Sequence, residues 1–149
     1  MICTDRRLRL CKVLLAAVLI FIWGNSALPA EVSQAFSDWV KSLLSFGGSG
    51  GGQGSGLLRK IAHFTEFAAL GLLLSWLLGM LKKRKIAPFL WGVAAACIDE
   101  TIQMFVPGRA PRVTDVLIDS CGVATGLGLL YLGHAILKKR STDHHFGGK

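Results

Sequence analysis

The strongest constraint on this chain is that four apolar stretches, each about as long as a bilayer is thick, occupy most of its length. A helix needs about 20 mostly apolar residues to cross a bilayer. The candidates run from about Leu10 to Leu28, Leu57 to Leu81, Ile86 to Val106 and Val113 to Leu137. In 149 residues this leaves no room for a separate soluble catalytic domain. Composition agrees: 52% of residues are hydrophobic and 17% charged, with a mean hydropathy of +0.50. An average soluble domain is about 25% charged. The expected fold is all-α: a four-helix transmembrane bundle with a short external interfacial helix. Its parts are an N-terminal transmembrane helix (1–28), an external amphipathic helix and glycine-rich tether (29–56), a three-helix core (57–137) and a cytoplasmic tail (138–149).

The net charge of +8 suggests nucleic acid until the cations are placed. Arg6, Arg7, Arg9 and Lys12 flank the first span. Lys82, Lys83, Arg84 and Lys85 separate the second and third, and Lys138, Lys139, Arg140 and Lys149 follow the fourth. These are twelve of the 17 Lys and Arg; Lys41, Arg59, Lys60, Arg109 and Arg112 fall on the other side. Cytoplasmic flanks carry the excess of Lys and Arg. The bias predicts a multi-pass protein of the bacterial inner (cytoplasmic) membrane with both termini cytoplasmic. The charge then marks topology and attraction to anionic lipid. Cations split among three short flanks, with no reading module, argue against nucleic acid as a partner. In a competing reading the first span, ending in SALPA, is a cleaved signal peptide. Cys3, Cys11, Cys97 and Cys121 lie at the membrane edge or inside spans and read as small apolar residues.

Residues 31–45 place Val32, Phe36, Trp39, Val40, Leu43 and Leu44 on one helical stripe, opposite Glu31, Asp38 and Lys41. The segment is too short to span and predicts a helix lying on the outer surface. Residues 46–56 contain seven glycines in eleven and read as a flexible tether.

Five of the nine acidic residues fall inside or at the edge of spans: Glu66, Asp99, Glu100, Asp115 and Asp119. His63 and Gln103 join them. Ionisable groups at such depth are costly and are functional candidates by default. At about 1.5 Å per residue, His63 and Glu66 lie roughly 10 Å or so below the outer start of their helix, Asp99 and Gln103 within roughly 10 Å of theirs, and Asp115 and Asp119 within about the first two turns. Arg59, His63 and Glu66 are spaced four and three; Asp99 and Gln103 are spaced four, as are Asp115 and Asp119. Each set shares one helical face. Gly122 and Gly126 continue the face of Asp119 as a GxxxG that permits close helix contact. The tight-turn signal Pro107-Gly108 folds the fourth span back on the third and brings Arg109 near several carboxylates. The inner halves are apolar, which predicts a pocket open to the outer face rather than a continuous ion path.

The segments RKIAHFTEFAALGLLL (59–74), DETIQMFVPGR (99–109) and DVLIDSCGVATG (115–126), in this order and spacing, resemble the signature of the VanZ-like family. The likeness is strong over residues 57–130 and general elsewhere; the glycine tether departs from it. It implies a small bacterial polytopic membrane protein. The family is named for a protein that gives low-level resistance to teicoplanin, a lipoglycopeptide that binds cell-wall precursors.

These residues predict a site that binds or acts on a cell-envelope amphiphile at the outer leaflet. His63, Glu66, Asp99, Glu100, Asp115 and Asp119 supply general acid/base chemistry if the protein is an enzyme. Their oxygens also suit a hard divalent cation. Arg59, Lys60, Gln103 and Arg109 are the candidate ligand-binding groups, the cations suiting a phosphate or carboxylate. The expected partners are the lipid bilayer and a lipid-linked envelope substrate or lipoglycopeptide. No catalytic triad order or zinc-ligand spacing is visible. The alternatives are a non-catalytic protein that binds or excludes the drug, with the cluster as a lock between helices, and a small transporter subunit.

Overall fold

A computed structural model describes residues 2–35, 39 and 54–146. Four long helices carry the fold: α1 (Ile2–Ser26), α2 (Gly54–Met80), α3 (Ala87–Met104) and α4 (Val113–Phe146). No strand occurs among the described residues. The fold class is therefore the expected all-α, membrane-type bundle. Residues 30–35 form a further short helical segment after α1. The remainder of the expected surface helix, apart from Trp39, lies outside the described residues, as do residues 46–53 of the expected tether.

Three helices are long and apolar enough to cross a membrane: Asp5–Ser26, Leu57–Met80 and Val113–Lys139. The helix α3 is not among them. It has 18 residues and carries Asp99, Glu100 and Gln103 in its last turns. At 1.5 Å per residue it measures about 27 Å, close to the roughly 30 Å hydrocarbon thickness. Many large apolar side chains point outward, among them Phe21 (63% exposed) and Trp91 (64%). In water such a surface would drive aggregation; in a bilayer it meets its solvent.

The helix ends follow from local chemistry. The helix α2 stops in a left-handed cap at Lys82 (φ 51°). The Lys83 amide donates to the Leu78 carbonyl at 2.9 Å and that of Lys82 to Gly79 at 3.1 Å, the paired bonds of a Schellman ending. Pro88 sits in the first turn of α3, where its missing N–H costs nothing. Between α3 and α4, Pro107 and Gly108 occupy the centre of a tight turn, Gly108 at φ 77°, with the Arg109 amide donating to Val106 at 3.2 Å. Proline followed by a left-handed glycine is the type II turn chemistry. Three helices run beyond the expected spans, α1 beginning at Ile2 rather than Leu10. The helix α2 begins at Gly54 rather than Leu57. Once the apolar run is helical, extending it back costs only about 1 kcal/mol per glycine, with no new nucleus to form. The helix α4 also runs on to Phe146, so Lys138, Lys139 and Arg140 continue it.

The core comprises Ile22, Phe67, Leu70, Leu74, Ala95, Ala96 and Val123, drawn from all four helices. The helices α2 and α4 share the largest interface. Glycine makes it possible. A Cβ on Gly122 would stand 2.5 Å from the Phe64 carbonyl oxygen, and Cβ atoms on Gly126 and Gly71 would overlap the carbonyls of Ala68 and Val123. The two backbones are in direct contact, which the GxxxG spacing predicts. The N-terminal helix is part of this structure: Ile22 and Ser26 are fully buried, and the Trp23 indole donates to the Ala95 carbonyl at 3.4 Å.

Candidate functional site

The end of α1, the start of α2, the end of α3 and the start of α4 meet at one pole of the bundle. The helical spacings read from the sequence therefore become one cluster. His63 (8% exposed), Asp99 (0%), Gln103 (5%) and Asp119 (2%) are buried together. One Asp99 oxygen, Oδ2, is firmly held. It accepts hydrogen bonds from the Ser26 hydroxyl and the Gln103 amide, both at 2.8 Å. The same Gln103 amide donates to Ser26 Oγ at 3.2 Å. His63 Nδ1 stands 3.9 Å from Asp99 Oδ2 and 4.0 Å from Glu66 Oε2. Both separations are too long for a hydrogen bond. The other Glu66 oxygen accepts from Asn25 at 3.5 Å. Asp99 Oδ1, Asp119 Oδ1, Glu66 Oε2 and His63 Nδ1 are buried with no hydrogen-bond partner. Buried polar groups are nearly always satisfied, so four orphans in one cluster ask for an explanation.

The remaining candidates ring this centre. Glu100 is buried, and its Oε2 accepts the Arg112 amide at 3.0 Å, so it caps the residue just before α4. Asp115 is half-buried, with its Oδ1 accepting from Thr114 at 3.4 Å. Arg109 donates to backbone carbonyls: Nε to Leu28 O at 3.1 Å and an Nη to Asn25 O at 3.0 Å. It thereby ties the hinge to the end of α1, as does the Ala30 amide on Pro107 O at 3.4 Å. Burial, and after it the like charge of Arg59, lowers the Arg109 pKa; a guanidinium starts so high that it keeps its charge.

Three cavities meet around the cluster. A small polar one of about 10 Å³ is lined by Arg59, Lys60, His63, Glu100, Gln103, Asp115 and Asp119, with Ile118. That is room for one water or one ion. Beside it a basic cleft of about 300 Å³ is framed by Arg59, Lys60, Arg109, Arg112 and Asp115. On the flank, between α1 and α2, an apolar groove of about 530 Å³ runs along Ile20, Phe21, Leu28, Val32 and Leu58 and reaches Arg59 and Glu66 at its polar end. Arg59 lines all three.

The ten residues that the sequence singles out all lie at this pole. Their roles divide: His63, Asp99, Gln103 and Asp119 form the centre, Glu66 its flank, Glu100 and Arg109 the brace of the hinge, and Arg59, Lys60 and Asp115 the rim. Sequence reasoning does not reach Asn25, Ser26 or Arg112. A signal for the first two is present: an adjacent Asn-Ser pair at the end of an apolar run, where a polar side chain can reach inward.

No curated protein and no solved structure matches the chain. A family model described as VanZ/LLP1 matches residues 12–136, from the first helix through most of α4. The chain belongs to the VanZ/LLP1 family.

Proposed function

We propose that this protein binds the anionic headgroup of a cell-envelope amphiphile at the polar pole of its bundle and acts on it there. The observation that carries this reading is the position of Arg59, shared by the buried His/carboxylate cavity, the basic cleft and the apolar flank groove. An amphiphile needs this combination. Its chain lies along Ile20, Phe21 and Leu58, while a phosphate or carboxylate is met by Arg59, Lys60, Arg109 and Arg112. His63 and the carboxylates then stand next to the headgroup as acid/base groups. The family name supports a link to glycopeptides: a change in the amount or exposure of an envelope lipid would alter teicoplanin sensitivity.

The test compares retention of phosphatidylglycerol and phosphatidylcholine by the detergent-purified chain. The wild type retains phosphatidylglycerol preferentially, and Arg59→Gln lowers that affinity by about tenfold, the scale of one charge-assisted hydrogen bond. Lys82→Gln, at the opposite pole, leaves it unchanged. Equal retention of both lipids, or an equal fall in both variants, contradicts the reading.

In the proposed orientation α3 crosses the membrane as the third of four spans, both termini are cytoplasmic and the polar pole faces out. The support is the charge bias: Lys82, Lys83, Arg84 and Lys85 lie at the pole opposite the cluster. A reporter fused after Lys85 reads cytoplasmic and one at Gly51 external; the reverse result places the cluster at the inner leaflet.

A second reading, the interhelical lock, draws on the Ser26–Asp99–Gln103 hydrogen bonds and the cap that Glu100 places on Arg112. It accounts for one oxygen of Asp99 but not for the unpartnered atoms of His63, Glu66 and Asp119. A transporter subunit is disfavoured by the apolar core beneath the cluster, with Phe67, Leu70 and Leu74 from α2 and Ala95 and Ala96 from α3.

A further inference from the structure

We infer that His63, Asp99 and Asp119 form a binding site for one divalent transition-metal cation, of the Zn²⁺ or Mn²⁺ kind, at the base of the headgroup site. The inference rests on the site proposed for this pole but not on its lipid. One ligand atom from each residue lies within 4.8 Å of the others, and all three residues are buried. An ion sits about 2.0–2.2 Å from such ligands, so small side-chain movements bring all three into reach.

The second observation is the set of orphaned atoms. His63 Nδ1, Asp99 Oδ1 and Asp119 Oδ1 are buried without hydrogen-bond partners. Asp99 is 0% and Asp119 2% exposed. His63 and Asp119 also line the cavity of about 10 Å³, which has room for a single ion or water. Buried charges are paired or coordinate a metal. Among the described residues no Lys or Arg forms an ion pair with any of these carboxylates. Arg109 directs Nε and one Nη to the carbonyls of Leu28 and Asn25, and its other Nη is buried without a hydrogen-bond partner, so it forms no ion pair with Asp99 or Asp119. A dication at this point satisfies the three orphans together.

The donor set selects the class. Magnesium and calcium favour all-oxygen sites; one imidazole with two carboxylates suits zinc, manganese or iron(II). Three protein ligands leave a coordination position open, the pattern of a site that meets substrate. The Ser26 and Gln103 bonds to Asp99 Oδ2 serve as orienting contacts behind a ligand whose Oδ1 is free. None of the three residues is adjacent in sequence, which explains why no zinc-ligand spacing is visible there.

The test uses the full chain with His144→Ala and His145→Ala, which removes the terminal pair of histidines as competing ligands. After chelator treatment and exchange into Zn²⁺ or Mn²⁺ buffer, elemental analysis of the gel-filtered protein is expected to give about one ion per chain. Asp119→Asn and His63→Gln each lower the affinity by about tenfold or more. Uptake far below stoichiometry in the parent chain, or unchanged uptake in both variants, overturns the site. If a variant does not yield folded protein, pulsed electron paramagnetic resonance on Mn²⁺ bound to the parent chain decides. A single imidazole nitrogen coupled to the ion is expected, and no nitrogen coupling overturns the assignment. No lipid is added, so failure here leaves the amphiphile reading standing, and failure of lipid retention leaves this one standing.

Discussion

Gly126→Leu is expected to abolish the folded bundle. A Cβ at this position would overlap the Ala68 carbonyl and stand 2.7 Å from the Leu72 amide nitrogen. Both are backbone atoms of α2, so no side chain can turn aside. Gly122 makes the same approach to Phe64 one turn earlier, and Gly71 returns it from α2 toward Val123. Within a bilayer the hydrophobic effect does not drive one helix onto another, and close packing carries association instead. Leucine here forces the two helices apart along their whole interface. Overpacking a well-filled core commonly costs about 1–3 kcal/mol, and a backbone clash belongs at or beyond the top of that range. The same displacement moves Asp119 away from His63, so the site disappears with the packing. The check is the yield of monodisperse protein by gel filtration, with Gly128→Leu as the control, because nothing lies within 4 Å of a Cβ there. A fall of about tenfold or more in yield for Gly126→Leu alone is expected. Equal yields for the two variants contradict backbone contact between α2 and α4.

Much of this arrangement is legible in the sequence, because its determinants are local. The spacings of Arg59, His63 and Glu66, of Asp99 and Gln103, and of Asp115 and Asp119 fix faces on helices whose existence follows from apolar length. Pro107-Gly108 declares a turn by its own backbone chemistry. Once the helices alternate in direction, the carboxylates must share a pole. What the sequence does not disclose depends on partners distant in the chain. Ser26 holds Asp99 across 73 positions; the Asn25-Ser26 pair marks a polar end to the apolar run but does not name its partner. Arg109 sits in the hinge between Asp99/Glu100 and Asp115/Asp119, yet it donates to the carbonyls of Leu28 and Asn25, because the end of α1 leaves carbonyls without helical partners beside it. Glu100 and Asp99 are neighbours that α3 turns to different uses, one to the hinge and one to the centre. The four-span count is blurred by the same residues that make the site: Asp99, Glu100 and Gln103 lower the apolarity of a helix already short.

Asp119→Asn is expected to remove function while leaving the bundle intact. In a structural lock Asp119 would be a held member. Instead its Oδ1 is buried and unpartnered, and no Lys or Arg among the described residues pairs with it. Asparagine keeps the shape, removes the charge and adds a donor that can serve the neighbouring carboxylates. Functional sites commonly hold groups that the fold would be more stable without. Any ligand that relies on the carboxylate is released with it. His63→Ala is expected to behave alike, apart from a small cavity cost. The most direct measurement is thermal unfolding of Asp119→Asn beside the wild type, both in detergent and both free of added metal and lipid. An unfolding temperature equal to or above that of the wild type is the expected result. A clear fall would contradict it and make the cluster a lock between helices rather than a site.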